Sequence, residues 1–385
     1  MLKLNSWIRG EMMSTENAMV QVPERNYGID LLRIVSMFFV AVLHVFNYGG
    51  ILYRVCLPYP HFYIVWFVEI CAYCAVNCYA LISGYVGIKS KFKYANILNF
   101  YLTAIFYTLT ITGIFYVFVP GTVGKIDFIK ALFPFGFGHY WYFTAYFCMF
   151  FFIPVFNHII NTMNRNSARA LIVSLIGILS ILPTIFNNDI FHTKDGYSAV
   201  WLGALYLIGA YISKYDVGEN IGKFALLGLY LLAVFITWSV KMAMTVLAAD
   251  GYPTADYANV FVEYTSPTIL VTGVCLLLLF SKLQPGSIQK KFIGFFSPLA
   301  FSVYLIHEEP LIRENILRDS FVWTLYEGPW FLLAVVIVSA FLIWFGCSLL
   351  DIPRHYLFKL LHIKQLCIKI EEFFKRIFSK TQSGF

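Results

Sequence analysis

Apolar residues in this chain come in long runs separated by short polar stretches, and ten runs meet or approach the ~20 residues that a bilayer-crossing helix needs. They cover roughly 31–48, 62–84, 96–119, 140–157, 169–186, 199–213, 222–248, 264–281, 295–313 and 329–350. The sixth is the shortest. The runs are continuous and lack the period-2 alternation of outer-membrane strands, so they predict helices. The expected fold is all-α, a polytopic membrane helix bundle of about ten transmembrane helices. No Pro/Gly/Ser-rich linker leads into a second globular unit. The organisation expected is an N-terminal segment 1–24, one membrane domain 25–352 and a basic amphipathic tail 353–385.

Composition supports the pattern. Hydrophobic residues make up 59% of the 385 and charged residues 13%, against roughly a quarter charged in soluble domains. Charge then gives direction, because short cytoplasmic loops are enriched in Lys and Arg. With the N-terminus inside, twenty of the 28 Lys and Arg fall in inner segments and six in outer loops. The outer segment holding Asp250, Asp256 and Glu263 has no cation. Both termini are therefore expected in the cytoplasm, and the net charge of +7 reads as an inner-leaflet anchor rather than a nucleic-acid surface. In the tail, Leu357, Leu360, Ile363, Leu366, Ile370 and Phe373 recur at helical spacing between lysines, as suits a helix on an anionic membrane surface. The first 24 residues carry Glu11, Glu16 and Glu24 and no continuous apolar core, so no cleavable signal peptide is expected, and Met12 or Met13 is a candidate start. Cys71, Cys74 and Cys78 share one helix face, which favours small residues at a helix interface over a redox or metal pair.

Ionisable residues inside membrane runs are functional candidates by default. The first run opens with Arg25, Asp30 and Arg33 and carries His44 deeper in. Asp30 and Arg33 are three apart, close enough to pair. Arg33 and His44 are eleven apart, which puts them within about 20° of one face and about 16 Å apart along the axis. Two such groups cannot touch one reacting atom, but they can touch two ends of a long ligand. Arg33 suits an anion, and a neutral His44, about 20 Å into the core by helix rise, suits a general base. The alternative is a core histidine bonded to a backbone carbonyl, with Asp30 and Arg33 as an interfacial cap. Glu69 in the second run and His307, Glu308 and Glu309 in the ninth fall at about the depth of His44. Either Glu69 or Glu308 is a candidate to orient the base, unless these residues merely face a wet vestibule. Lys241 is expected to snorkel outward.

Several stretches resemble the family-three integral membrane acyltransferases, many of which O-acetylate bacterial polysaccharides. They are Arg25-Asn26, Asp30-Leu-Leu-Arg33 and His44; Val76 to Tyr85; His139-Tyr-Trp141-Tyr142 with Tyr146; Tyr197 to Trp201 with Tyr206 to Tyr211; Val303 to Glu308; and Asp351-Ile-Pro-Arg354. Tyr79 stands where many members have Phe, and Pro310 follows two Glu where relatives often have Glu-His-Pro or Glu-Asn-Pro. The resemblance implies a multi-pass protein of a bacterial cytoplasmic membrane that moves an acyl group, usually acetyl, from acetyl-CoA to a saccharide hydroxyl. Arg25, Asp30, Arg33, Lys89 and Lys91, with Lys93, would then form the coenzyme A end, and His44, Glu69, His307 and Glu308 the catalytic group. His139, Trp141, Tyr142 and Trp201 would contact the sugar, although an aromatic belt at the membrane interface is the plainer reading of those rings. Whether an acyl-histidine forms is open. The chain continues about 35 residues past the last run, so acceptor binding is expected from the helices and the outer loops 49–61, 120–139, 187–198 and 249–263. No metal is expected, membrane lipid and a saccharide acceptor are the expected partners, and a homo-oligomer is left open. The rivals are a transporter of a glycolipid or small metabolite, an acyltransferase for a non-sugar acceptor, and a receptor or scaffold. No second Arg-to-His pattern in the later half supports the transporter.

Overall fold

A computed structural model describes residues 25–382; the segment 1–24 and its candidate start sites lie outside them. The described residues form helices joined by loops, with no strand among them. Six helices are long and apolar enough to cross a membrane: α1 (Tyr27–Asn47), α2 (Pro60–Gly87), α3 (Tyr94–Phe118), α6 (Arg165–Phe186), α8 (Lys223–Ala249) and α11 (Pro329–Leu360). A seventh is made if α4 (Trp141–Phe150) and α5 (Ile153–Thr162), bent by 55° at their junction, are taken as one span. The remaining apolar runs fold into shorter helices, α7 (Ala199–Tyr215), α9 (Pro267–Ser281) and α10 (Ala300–His307).

The shortfall from ten long helices has local causes. The ninth run is interrupted: α10 is eight residues long and ends at His307, where Glu308-Glu309-Pro310 turns the chain. Glu309 then caps the next turn, its carboxylate accepting from the Leu311 and Ile312 amides at 2.7 and 3.3 Å. Irregular backbone of this kind is tolerated at membrane depth only where protein surrounds it. Helix α7 is short but enclosed, with every residue from Trp201 to Ser213 buried.

Helix α1 forms the axis of the bundle. Asn26 caps its start by accepting from the Gly28 and Ile29 amides at 2.9 and 3.1 Å, and donates to the Ser281 carbonyl at 2.9 Å. Gly28 is required there, since a Cβ would lie 2.0 Å from the Phe280 carbonyl oxygen. The second half of α2 crosses α7 even more closely. A Cβ on Gly84 would meet the Tyr206 carbonyl oxygen at 1.9 Å, and one on Gly209 the Leu81 carbonyl oxygen at 2.1 Å. Small residues that let backbones touch are a main source of cohesion between membrane helices. Cys74 and Cys78 of α2 are buried in the same packing. Gly209→Val is expected to cost at least ~1–3 kcal/mol, because the obstacle is backbone and not a flexible side chain. A thermal unfolding scan in detergent that left the midpoint unchanged would contradict this crossing.

Large apolar side chains lie exposed along the outer faces of α8 (Phe224, Leu231, Leu232, Phe235) and α11 (Phe331, Val338, Phe341, Leu342), as a lipid-facing surface requires. The amphipathic tail forms α12 (Ile363–Gln382). It docks through Glu371, which is buried and accepts from the Ala95 amide at 2.9 Å in the first turn of α3.

Candidate active site

A cavity of about 1640 Å³ follows α1 from its first turn to its last. Arg25, Asp30, Arg33, Met37, His44 and Asn47 all line it, as expected for residues near one face of a helix. The 21 residues of α1 rise about 31 Å, so the cavity approaches the length of a hydrocarbon core.

At the Arg25 end the positive groups are organised by one carboxylate. Asp30 is 4% exposed. Its Oδ2 pairs with Arg25 Nε at 2.5 Å, its Oδ1 pairs with Arg33 Nη1, and Ser297 Oγ donates to Oδ1 at 3.2 Å. Two guanidiniums are thus held side by side with one negative charge between them. Lys89, Lys91 and Lys93, from the loop between α2 and α3, line the same end. Tyr79 ties α2 to α1 by donating to the Arg33 carbonyl at 2.7 Å. Such a cluster suits an anion bearing several oxygens.

Further along the cavity, His44 meets the residues around the break after α10. His307 Nδ1 lies 2.5 Å from the Val303 carbonyl. A carbonyl only accepts, so Nδ1 carries the proton and, in the neutral ring, His307 Nε2 is an acceptor. His44 Nδ1, 2.9 Å from that Nε2, therefore donates to it. This fixes the tautomer of His44: its Nε2 holds a free lone pair, on a ring that lines the cavity. Glu308 Oε2 lies 3.2 Å from the same Nδ1 and makes no other bond. Glu308 Oε1 accepts from Tyr48 Oη at 3.1 Å and Arg313 Nη1 at 3.0 Å. When His44 takes a proton at Nε2, Glu308 is the charge that stabilises the imidazolium, while Arg313 and Tyr48 hold that carboxylate in place.

Glu308, not Glu69, is accordingly the carboxylate at His44. Glu69 also lines the cavity, but its Oε2 has no partner. Tyr48 and Arg313 were not singled out by sequence. Tyr48 follows His44 by four residues, a spacing that places both on one face, whereas Arg313 counted only as an outer-loop charge.

The aromatic candidates divide. Trp141 and Tyr142 line the cavity. Trp201 does not: it is 1% exposed in the core and donates from Nε1 to Asn77 Oδ1 at 3.1 Å, and Asn77 in turn donates to the Tyr264 carbonyl at 2.8 Å. Its task is to hold that framework. His139 is also outside the cavity wall, while its neighbour Tyr140 is buried and donates to the Leu305 carbonyl at 2.8 Å, fixing α10. Lys241 does not snorkel to solvent. It is 7% exposed, with Nζ 4.0 Å above the Trp66 ring and donating to Asn259 Oδ1 at 2.7 Å. Outer-loop segments contribute Tyr53, Asp195, Asn259 and Glu263 to the cavity, and 120–139 contributes nothing. Burial, together with Asp195 and Asp189, pushes the Glu263 carboxyl up to about 7.

The Asp351–Arg354 motif lies away from the cavity. Arg354 grips Asp351 bidentately, at 2.6 and 2.7 Å, and Tyr107 Oη also donates to that carboxylate. Both members are buried, so the motif locks α11 to α3.

A family model described as an acyltransferase domain, acyltransferase family 3, matches residues 26–349. The chain belongs to the family-three acyltransferases. Its match begins at the α1 cap Asn26, takes in every residue that lines the cavity except Arg25, and ends within α11. This family-three acyltransferase is a multi-pass membrane protein by its apolar helices. Searches of curated proteins and of solved structures find no match.

Proposed function

We propose that this membrane acyltransferase moves an acyl group, acetyl in the simplest case, from acyl-CoA to a hydroxyl of a saccharide. The observation that carries the reading is one continuous cavity with a multivalent cationic end and a base-competent histidine about 16 Å apart along α1. Coenzyme A has the matching shape: anionic phosphates at one end, a long flexible arm, and the thioester at its tip. Arg25, Arg33 and Lys89, with Lys91 and Lys93, bind the phosphates. The arm runs along α1 past Tyr79 and Met37 to His44.

At that point His44 Nε2 takes the proton of the sugar hydroxyl as its oxygen attacks the thioester carbonyl. The C–O bond forms, the C–S bond breaks, and the imidazolium returns its proton to the departing thiolate. His307 holds the ring in the reactive tautomer, and Glu308 stabilises its charged form. The basic Arg25 end faces the cytoplasm in this reading, following the distribution of Lys and Arg, and the acceptor arrives from the opposite side. The protein then sits in a bacterial cytoplasmic membrane and modifies a cell-surface or lipid-linked saccharide.

Purified protein in nanodiscs should release coenzyme A thiol from acetyl-CoA only when a glycan acceptor is supplied. Arg33→Ala should weaken acetyl-CoA binding about 10-fold or more, the size of a lost charge-assisted hydrogen bond. Calorimetry that found unchanged affinity for acetyl-CoA would remove Arg33 from the donor site.

A further inference from the structure

Apart from Asp30, which is held between Arg25 and Arg33, the charged groups of the cavity are sorted by sign. All its Lys and Arg, namely Arg25, Arg33, Lys89, Lys91 and Lys93, stand at one end. Beyond His44 the lining includes three carboxyls, Glu69, Asp195 and Glu263, and no cation. Lys241, the nearby buried cation, is turned to Asn259 and Trp66.

Glu69 is the informative member. It is 3% exposed, it lines the cavity, and its Oε2 is buried with no hydrogen-bond partner. A buried carboxyl oxygen left unpaired is costly unless a donor from outside the chain completes it. Beside it stands a continuous aromatic wall. Tyr264 stacks on Tyr73 at 4.7 Å and on Trp141 at 5.9 Å, each at 22°, and Tyr197 lies 4.9 Å from Tyr264 and 4.4 Å from Trp141. The Asn77–Trp201 pair holds the Tyr264 backbone, and the Lys241 bond holds the Asn259 side chain. Flat apolar surface with a few converging polar groups is how proteins fix the orientation of a small polar ligand.

We propose that this end of the cavity is the acceptor subsite, and that it selects a saccharide unit bearing hydroxyl or amino groups and rejects one bearing a carboxylate, phosphate or sulfate. The inference rests on the acyl-transfer reading for the word acceptor, but its selectivity follows from the wall alone. O–H and N–H groups satisfy Glu69 and Glu263, and an ammonium group gains from both the carboxyls and the ring faces. An anionic substituent would be brought against these carboxyls at a wall that itself carries no Lys or Arg, with Lys241 already engaged by Asn259 and Trp66. Burial keeps Glu263 partly protonated near neutrality, so it can donate to a sugar oxygen as well as accept.

The test uses the full chain in nanodiscs without acyl donor, titrated with the methyl glycosides of glucose, glucosamine and glucuronic acid. Tryptophan fluorescence reports binding, since Trp66 and Trp141 line the subsite. The glucoside and glucosaminide are expected to bind, and the glucuronide to bind at least ~10-fold more weakly. Glu69→Gln, checked for unchanged acetyl-CoA affinity at the other end as proof of folding, should narrow the gap between glucosaminide and glucuronide by about 10-fold. Binding of the glucuronide as tight as that of the glucoside, a gap unaffected by Glu69→Gln, or no binding by any of the three would each overturn the proposal. Protein that discriminates the glycosides yet releases no thiol from acetyl-CoA would retain the subsite and lose the acyl-transfer reading.

Discussion

His44→Ala should lower glycan-dependent thiol release from acetyl-CoA by about 10³-fold, within the range for removing a positioned general base, while acetyl-CoA affinity stays within about twofold. The split is expected because, in the proposed reading, the donor's phosphates meet Arg25 and Arg33, which lie about 16 Å or more from His44 along α1. His307→Ala tests the same arrangement from behind. It removes the acceptor at His44 Nδ1 without touching the cavity wall, so its effect should fall on turnover and not on donor binding. A His44→Ala protein that elutes as a single species, binds acetyl-CoA and keeps full turnover would end the assignment of His44 as the base.

The second large effect concerns folding. Asp351 is 0% exposed and Arg354 8% exposed, and they are joined by two short bonds. Removing one member of a buried pair leaves an uncompensated charge, and Asp351→Ala is expected to destabilise the protein by about 3–5 kcal/mol. The double variant Asp351→Ala with Arg354→Met removes both charges and should recover most of that loss. Unfolding midpoints for the three proteins in one detergent decide it, since equal losses for the single and double variants would mean that the charge is not the cause.

Much of this architecture was legible in the sequence. The apolar runs gave helices because their length and continuity leave no other way to satisfy the backbone in lipid. The common face of Arg33 and His44 followed from helical arithmetic alone. The partner of His44 was harder, because His307 is 263 residues away. Depth along separate helices put Glu69, His307 and Glu308 at one level, but level does not reveal which of them is adjacent. The bend after His307 decides that, and it depends on how Glu309 caps the next turn. The aromatic motifs failed for a different reason. Trp141 and Trp201 sit in similar contexts along the chain, yet one lines the cavity and the other donates to Asn77 in the core. Ring chemistry suits both environments equally well.

A cavity that accompanies α1 from end to end carries an obligation unrelated to catalysis. Water filling it along the whole of that path would be a leak for protons and small cations across an energised membrane. Bulky aromatic side chains, among them Phe100, Tyr142, Phe143 and Tyr146, contribute to its wall, and an apolar lining of this kind would oppose ion passage wherever it excluded water. The cationic end adds an electrostatic barrier of the sign that repels protons and metal cations. On the proposed reading, the groups that hold a phosphate would double as insulation, and an acyl carrier lying between them would act as the plug.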